Sequence, residues 1–352
     1  MTRGGGFAVA FGRDGLEAVG GGFLTRSSRC PSILPAGLVK RVLLASPRGY
    51  CAGVERAVET VEQALELYGA PVYVRKQIVH NAHVVRELEE RGAVFVESED
   101  EPPEGATLVL SAHGVAPAVH ERATVRRLTT IDAACPLVTK VHVQVKRWAE
   151  EGLTVVLIGH VGHEEVVGTM GEAPDSIVLV ESAEEAEALE LPAGTRVAYS
   201  TQTTLSVDET AEIVTALRRR FPGIRGPQKE DICYATTNRQ AAVKALVDEV
   251  DLLLVIGSQN SSNSNRLVDV ARSAGVESHL IDDETGIDEA WLERAETVGL
   301  TSGASAPERL VTRVCDWFRA RGVHDIGEFA RVTEDVFFRL PIELRRAQSP
   351  AA

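Results

Sequence analysis

The sequence predicts an α/β protein made of three similar small α/β domains, with mainly parallel sheets around a shared central cavity. Three observations carry that expectation. Short apolar runs alternate with amphipathic segments along most of the chain, the pattern of strands joined by crossover helices. Cys51, Cys135 and Cys233 each stand where an apolar run gives way to a helix-like pattern. The intervals between these cysteines, 84 and 98 residues, each hold a small α/β unit without a charged or Pro-rich linker.

Residues 1–39 carry Gly4-Gly5-Gly6 and Gly20-Gly21-Gly22, with neither a helical period nor the apolar core of a secretory signal, and are expected to form a disordered leader. The first domain, 40–135, opens with the strand Arg41–Ser46. It continues with a helix over 54–68, a strand over 71–75, a helix over 82–91 and a strand over 107–111. The second, 136–232, begins with a helix over 137–151, placed by Pro136 in the first helical turn. Strands over 154–158 and 196–200 follow, then the helix Val207–Arg220, whose start is marked by the capping-box spacing of Ser206 and Glu209. The third, 233–325, holds the strand Leu252–Ile256 and a helix over 266–274. Leu310, Val311, Val314, Cys315 and Phe318 then mark one buried helical face. Residues 326–352 read as a C-terminal tail.

Composition narrows the function. A formal net charge of −14 disfavours nucleic acid or an anionic membrane surface as the main partner, so an anionic substrate has to be attracted locally. The longest uncharged apolar stretches, such as 153–159 and 252–257, are strand-length and far below the ~20 residues of a membrane span, so a soluble protein is expected. Five scattered cysteines, an odd number, suit a reducing cytoplasm better than a disulfide framework. Cys30 and Cys315 read as incidental.

A thiol at a helix N-terminus faces unpaired N–H groups and the positive end of the helix dipole, which favours the thiolate, the form that binds metals. The bland alternative is a buried, inert cysteine. None of the three belongs to a Cys-x-x-Cys pair, which counts against a zinc ribbon or a dithiol oxidoreductase. Isolated thiolates assembled by tertiary structure suit an iron–sulfur cluster with one iron left free for substrate. A zinc-stabilised binding module and a hydrolase using Cys135 as nucleophile remain as alternatives.

Three histidines, His80, His113 and His163, follow apolar runs at comparable strand ends and together form a candidate cationic lining for a phosphorylated substrate. His160 and His163 also have zinc half-site spacing, with no further ligand nearby in sequence. Glu165 is the candidate proton carrier, with Glu164 its rival. The hydroxyl-rich loop 257–265, including Ser261, Ser262 and Asn263, precedes a helix and suits a diphosphate. Ser305 is either such a ligand or a plain cap for the helix entered at Glu308. Thr203 lies in a polar stretch at another strand end.

These segments together resemble the 4-hydroxy-3-methylbut-2-enyl diphosphate reductase family, the last enzyme of the non-mevalonate isoprenoid route. The resemblance runs through Pro47-Arg-Gly-Tyr-Cys-Ala-Gly-Val, Ile78-Val-His-Asn, Ser111-Ala-His-Gly-Val, Cys135-Pro-Leu-Val-Thr-Lys-Val-His, Gly162-His-Glu-Glu, Thr201-Gln-Thr-Thr, Asp231-Ile-Cys-Tyr-Ala-Thr-Thr-Asn and Ser261-Ser-Asn-Ser-Asn. It implies a 4Fe-4S cluster on Cys51, Cys135 and Cys233, whose unique iron binds the substrate's C4 hydroxyl. It also implies Glu165 as proton donor, assisted by His163 and Thr203, and a diphosphate held by His80, His113, Ser261, Ser262, Asn263 and Ser305. Two electrons from a ferredoxin or flavodoxin system and two protons would give isopentenyl and dimethylallyl diphosphates. Tyr50 and Glu164 depart from the residues common in the family, Phe and Pro.

Overall fold

The computed structural model describes residues 39–348. The leader expected over 1–39, Cys30 included, lies outside the described residues but for Val39. The fold is α/β, with three sheets in which every strand pairing is parallel.

A four-stranded sheet is ordered β3-β2-β4-β5, from β2 (Val72–Arg75), β3 (Ala93–Val96), β4 (Thr107–Leu110) and β5 (Thr129–Asp132). A three-stranded sheet is ordered β7-β6-β8, from β6 (Thr154–Ile158), β7 (Ile177–Val180) and β8 (Val197–Thr201). The five-stranded sheet is ordered β10-β9-β11-β1-β12, from β1 (Arg41–Ser46), β9 (Leu252–Ile256), β10 (Glu277–Ile281), β11 (Thr297–Ser302) and β12 (Asp325–Ala330). Each sheet repeats one plan around the first strand after its cysteine-capped helix: the next strand takes one side of it and the third takes the other. The helices that lead into these strands are α1 (Ala52–Tyr68), α4 (Pro136–Glu150) and α8 (Tyr234–Leu246).

Two-sided burial explains the apolar strands. Along β9, Leu252, Leu254 and Ile256 enter the core under α10 (Glu308–Arg319), while Leu253 and Val255 enter the core under α8 and α9 (Ser262–Ser273). Val42 and Leu44 of β1 join the first core, Leu43 and Ala45 the second. So β1, first in sequence, sits between β11 and β12, in the sheet of the third cysteine interval. The tail expected from residue 326 contains most of β12, which the sequence hides because its burial alternates with exposure.

The remaining helices are α2 (Ala82–Glu90), α3 (Pro117–Val125), α5 (Glu164–Met170), α6 (Ala183–Ala188), α7 (Val207–Arg220) and α11 (Ile342–Gln348). From β12 the chain crosses as an extended strap over residues 331–341. Glu334 accepts hydrogen bonds from Asn238 and Arg239 of α8, and the Arg339 carbonyl accepts one from Arg56 of α1. The strap ends in α11, whose fully buried Leu344 completes the core of the four-stranded sheet. Among the described residues no helix is long and apolar enough to cross a membrane.

Candidate active site

The site lies where parallel sheets place ligands, in the loops at the carboxyl ends of strands. His80 follows β2, His163 follows β6 and Ser261 follows β9, in each case the first strand after a cysteine-capped helix. His113 follows β4, Thr203 follows β8 and Ser305 follows β11, the three flanking strands. Cys51, Cys135 and Cys233 are the N-cap residues of α1, α4 and α8. Each cysteine N–H is pinned to one of the flanking-strand loops: Cys135 to the Ala112 carbonyl at 2.9 Å, Cys233 to that of Thr203 at 3.0 Å and Cys51 to that of Ala304 at 3.2 Å. All twelve residues singled out from the sequence therefore line one cavity, with about 700 Å³ of space. Glu164 and His160 are not among its lining residues.

The three thiols are free. A Cβ at Gly53 would stand 2.7 Å from the Cys135 sulfur and 3.8 Å from that of Cys51, so only glycine lets the first turn of α1 come this close to both. Burial pushes the Cys135 thiol up to about 12, with the neighbouring Cys51 adding to the rise, and the Cys233 thiol up to about 11. At Cys135 and Cys233 desolvation and like charge thus outweigh the pull of the helix N-terminus, and a cation is needed to hold their ionised forms. Thr236, one turn beyond Cys233, lies with its hydroxyl 3.2 Å from the Cys233 sulfur, and the Tyr234 hydroxyl accepts the Ala52 N–H at 3.1 Å. Sequence reasoning missed both, although they stand one and three residues after a cysteine already singled out.

Glu165 is 2% exposed. Its carboxyl accepts the Thr203 N–H at 2.6 Å and the Thr203 hydroxyl at 3.0 Å, yet burial still raises its pKa above the usual carboxylate range. A buried carboxyl that stays protonated is a proton source. His163 caps α5, and its Nδ1 accepts the Glu165 N–H at 3.2 Å, which leaves Nε2 as the protonated nitrogen of the neutral ring.

His80 and His113 stack with ring centroids 4.0 Å apart, and His163 meets both edge-on at 5.6 and 5.9 Å. Burial lowers His80 to about 2 and His163 to about 3, and the adjacent His113 lowers both further. Without an anion beside them His80 and His163 are thus held neutral, and an anion there would favour their charged forms. Glu164 reaches the back of His113, Oε2 to Nδ1 at 3.4 Å.

The hydroxyl loop is partly helix: Ser261 caps α9 by accepting the Ser264 N–H at 3.3 Å, so the helix begins four residues before the expected Arg266. Asn263 accepts the Ala304 N–H at 2.9 Å and approaches Thr236, while the Ser262 hydroxyl donates to the Thr204 carbonyl at 3.3 Å. Ser305 does not cap α10. Pro307 holds that position, and the Ser305 hydroxyl instead donates to the His80 carbonyl at 2.9 Å, joining two of the loops. Ser206 does cap α7, as its spacing with Glu209 implies. Behind the site, His142 pairs with Glu172 at 2.9 Å, another contact the sequence reading did not find.

Residues 42–319 match the family model described as LytB protein. The chain belongs to the LytB family. It is 62% identical over 308 residues to a protein of Acidothermus cellulolyticus named 4-hydroxy-3-methylbut-2-enyl diphosphate reductase, covering 87% of this chain and 91% of that one. A protein of the same name from Rhodococcus opacus is 57% identical, over 88% and 93% of the two chains. Among solved LytB-type structures, the E-1-hydroxy-2-methyl-but-2-enyl-4-diphosphate reductase of Plasmodium falciparum superposes with a TM-score of 0.85 at 39% identity, covering 88% of this chain and 98% of that one.

Proposed function

We propose that this LytB-family chain reduces (E)-4-hydroxy-3-methylbut-2-enyl diphosphate to isopentenyl and dimethylallyl diphosphates. The observation that carries the reading is the junction, in one cavity, of three helix-capping thiols with a buried acid and a histidine- and hydroxyl-lined recess. The reaction consumes two electrons and two protons, releases water and leaves the diphosphate intact. The residues fit a 4Fe-4S cluster. The donors are three soft thiols at the N-caps of three helices that line one cavity, a donor set that suits an iron–sulfur cluster.

Cys51, Cys135 and Cys233 would hold the cluster, which supplies electrons and, at the iron without a protein ligand, a Lewis-acid position for the C4 hydroxyl. His80, His113, Ser261, Ser262, Asn263 and Ser305 would bind the diphosphate, aided by the N-terminus of α9. Anchoring at that end would orient the short apolar chain within the cavity. Glu165 would deliver a proton to the departing hydroxyl, held in place by Thr203 and by His163, whose Nδ1 accepts the Glu165 N–H. Delivery of the second proton to either end of the allyl fragment accounts for two products. A hydrolase using Cys135 is disfavoured, because burial keeps that thiol protonated. A ferredoxin or flavodoxin system is the proposed electron source and the cytoplasm the proposed location.

The deciding experiment is anaerobic purification, iron and sulfide analysis, and Mössbauer spectra with and without substrate. About four irons and four sulfides per chain, with one iron site changing on addition of substrate, are expected. Zinc, or no metal after reconstitution, would overturn the reading.

A further inference from the structure

Each cysteine-capped helix carries a cation one to two turns beyond its cysteine, and each cation reaches the loop that leads to a different cysteine. Arg56 of α1 donates through Nη1 to the carbonyl of Ala134 at 2.8 Å, the residue before Cys135, and through Nη2 to that of Asp132 at 3.3 Å. Lys140 of α4 donates to the carbonyls of Lys229 and Glu230 at 2.6 and 3.1 Å, and to the Asp231 carboxylate at 3.0 Å, all in the segment entering Cys233. Arg239 of α8 donates through Nη2 to the carbonyl of Gly49 at 2.8 Å, two residues before Cys51. The contacts close a circle: the Cys51 helix grips the Cys135 loop, the Cys135 helix grips the Cys233 loop, and the Cys233 helix grips the Cys51 loop.

We infer that Arg56, Lys140 and Arg239 form a cyclic clamp of positioning residues that holds the three thiols at the spacing a cluster requires. The inference rests on the reading of the three cysteines as cluster ligands. Backbone carbonyls are the right targets for such a clamp, because they fix where a loop runs without competing for the sulfur, and charge-assisted bonds to them are stronger than neutral ones. Two of the cations are almost wholly buried, Arg56 at 9% and Arg239 at 0% exposure, so neither is a solvated surface charge that happens to lie nearby. Arg239 is neutralised by Glu334 and Lys140 by Asp231. The circle also explains how three units from separate stretches of sequence share one centre: each unit is fastened to the next.

The clamp makes a directional prediction that general destabilisation does not. In the full-length chain stripped of metal under anaerobic conditions, alkylation of each cysteine by iodoacetamide is followed by mass spectrometry. Lys140→Met should speed modification of Cys233 about tenfold, the local opening expected from losing a charge-assisted hydrogen bond, with Cys51 and Cys135 changing less than about twofold. Arg56→Gln should act on Cys135 and Arg239→Gln on Cys51, and Lys140→Arg should restore Cys233 most of the way. Equal acceleration at all three cysteines, acceleration at the cysteine of the substituted helix, or no change would overturn the clamp. Should the buried arginine variants not fold, the partly exposed Lys140 decides the matter alone. Iron and sulfide analysis of the unsubstituted chain tests the cluster reading separately, since the alkylation pattern does not depend on whether a cluster is ever bound.

Discussion

At the scale of single residues, burial withholds charge from several groups that line the cavity. Burial raises the Glu165 pKa, so its carboxyl keeps its proton to higher pH than an exposed one and loses it as pH rises through that elevated pKa. Glu165→Gln keeps the shape and the Thr203 contact but has no acidic proton. Cluster content and diphosphate affinity should survive, and turnover with a chemical reductant should fall by about 100-fold or more. Turnover close to that of the unsubstituted chain would move the donor role to Glu164 or His163. His80 and His163 are held neutral, down to about 2 and about 3, by burial and by His113. A bound diphosphate raises both, so binding takes up protons and tightens as pH falls from about 8 to 6. Calorimetry of inorganic diphosphate in buffers of different ionisation enthalpy should report net proton uptake, lost in the double variant His80→Asn, His163→Asn. An affinity that does not vary over that range would mean that neither ring takes up a proton on binding.

At the scale of elements, helix N-termini do most of the positioning. Helices α1, α4 and α8 each present a cysteine at the N-cap, and none of the three thiols makes a side-chain capping hydrogen bond. Close approach is achieved by removing side chains: Gly53 stands where a Cβ would meet the Cys135 sulfur at 2.7 Å. Gly53→Ala should therefore push α1 away from Cys135, lowering iron retained on reconstitution and costing about 1–3 kcal/mol of stability, measured by urea denaturation. Full loading and unchanged stability would mean that the helix yields without cost. Pro307 as the cap of α10 has the opposite use, since it leaves the Ser305 hydroxyl free to tie the third substrate loop to His80.

At the scale of the whole molecule, the three sheets with the same strand plan are joined by long-range ties. The strap from residue 331 to α11 is the longest such tie. It neutralises Arg239 through Glu334, bonds Arg56 through the Arg339 carbonyl and delivers Leu344 to the core of another sheet. Glu334→Gln leaves the fully buried Arg239 without a counter-charge and should cost about 3–5 kcal/mol, seen as a lower urea midpoint. Leu344→Ala should cost about 2–5 kcal/mol by opening a cavity between α11 and the four-stranded sheet. If the two losses add when the substitutions are combined, the strap acts at two independent points. A sub-additive pair would mean that it detaches as one piece.

The strand ends Arg41–Ser46, Thr154–Ile158 and Leu252–Ile256, and the helix Val207–Arg220, are legible in the sequence because a strand buried on both faces is a continuous apolar run and a capped helix announces its start. Edge strands such as β12 and the short β5 are not, since half-exposed segments lack that signal. The three cysteines, the three histidines and Glu165 could be singled out because their residue types carry chemistry wherever they stand. How burial shifts their titration could not be read there: the Cys135 and Cys233 thiols and the Glu165 carboxyl are raised, and two histidines lowered, by desolvation in a cavity assembled from distant segments. The sequence by itself determined the alternation of elements and the inventory of reactive side chains, both local properties. Only the tertiary structure decided that β1 joins the last sheet, that Ser305 binds a loop and does not cap a helix, and that each cysteine is gripped from the helix of another, because those outcomes depend on burial and long-range contact.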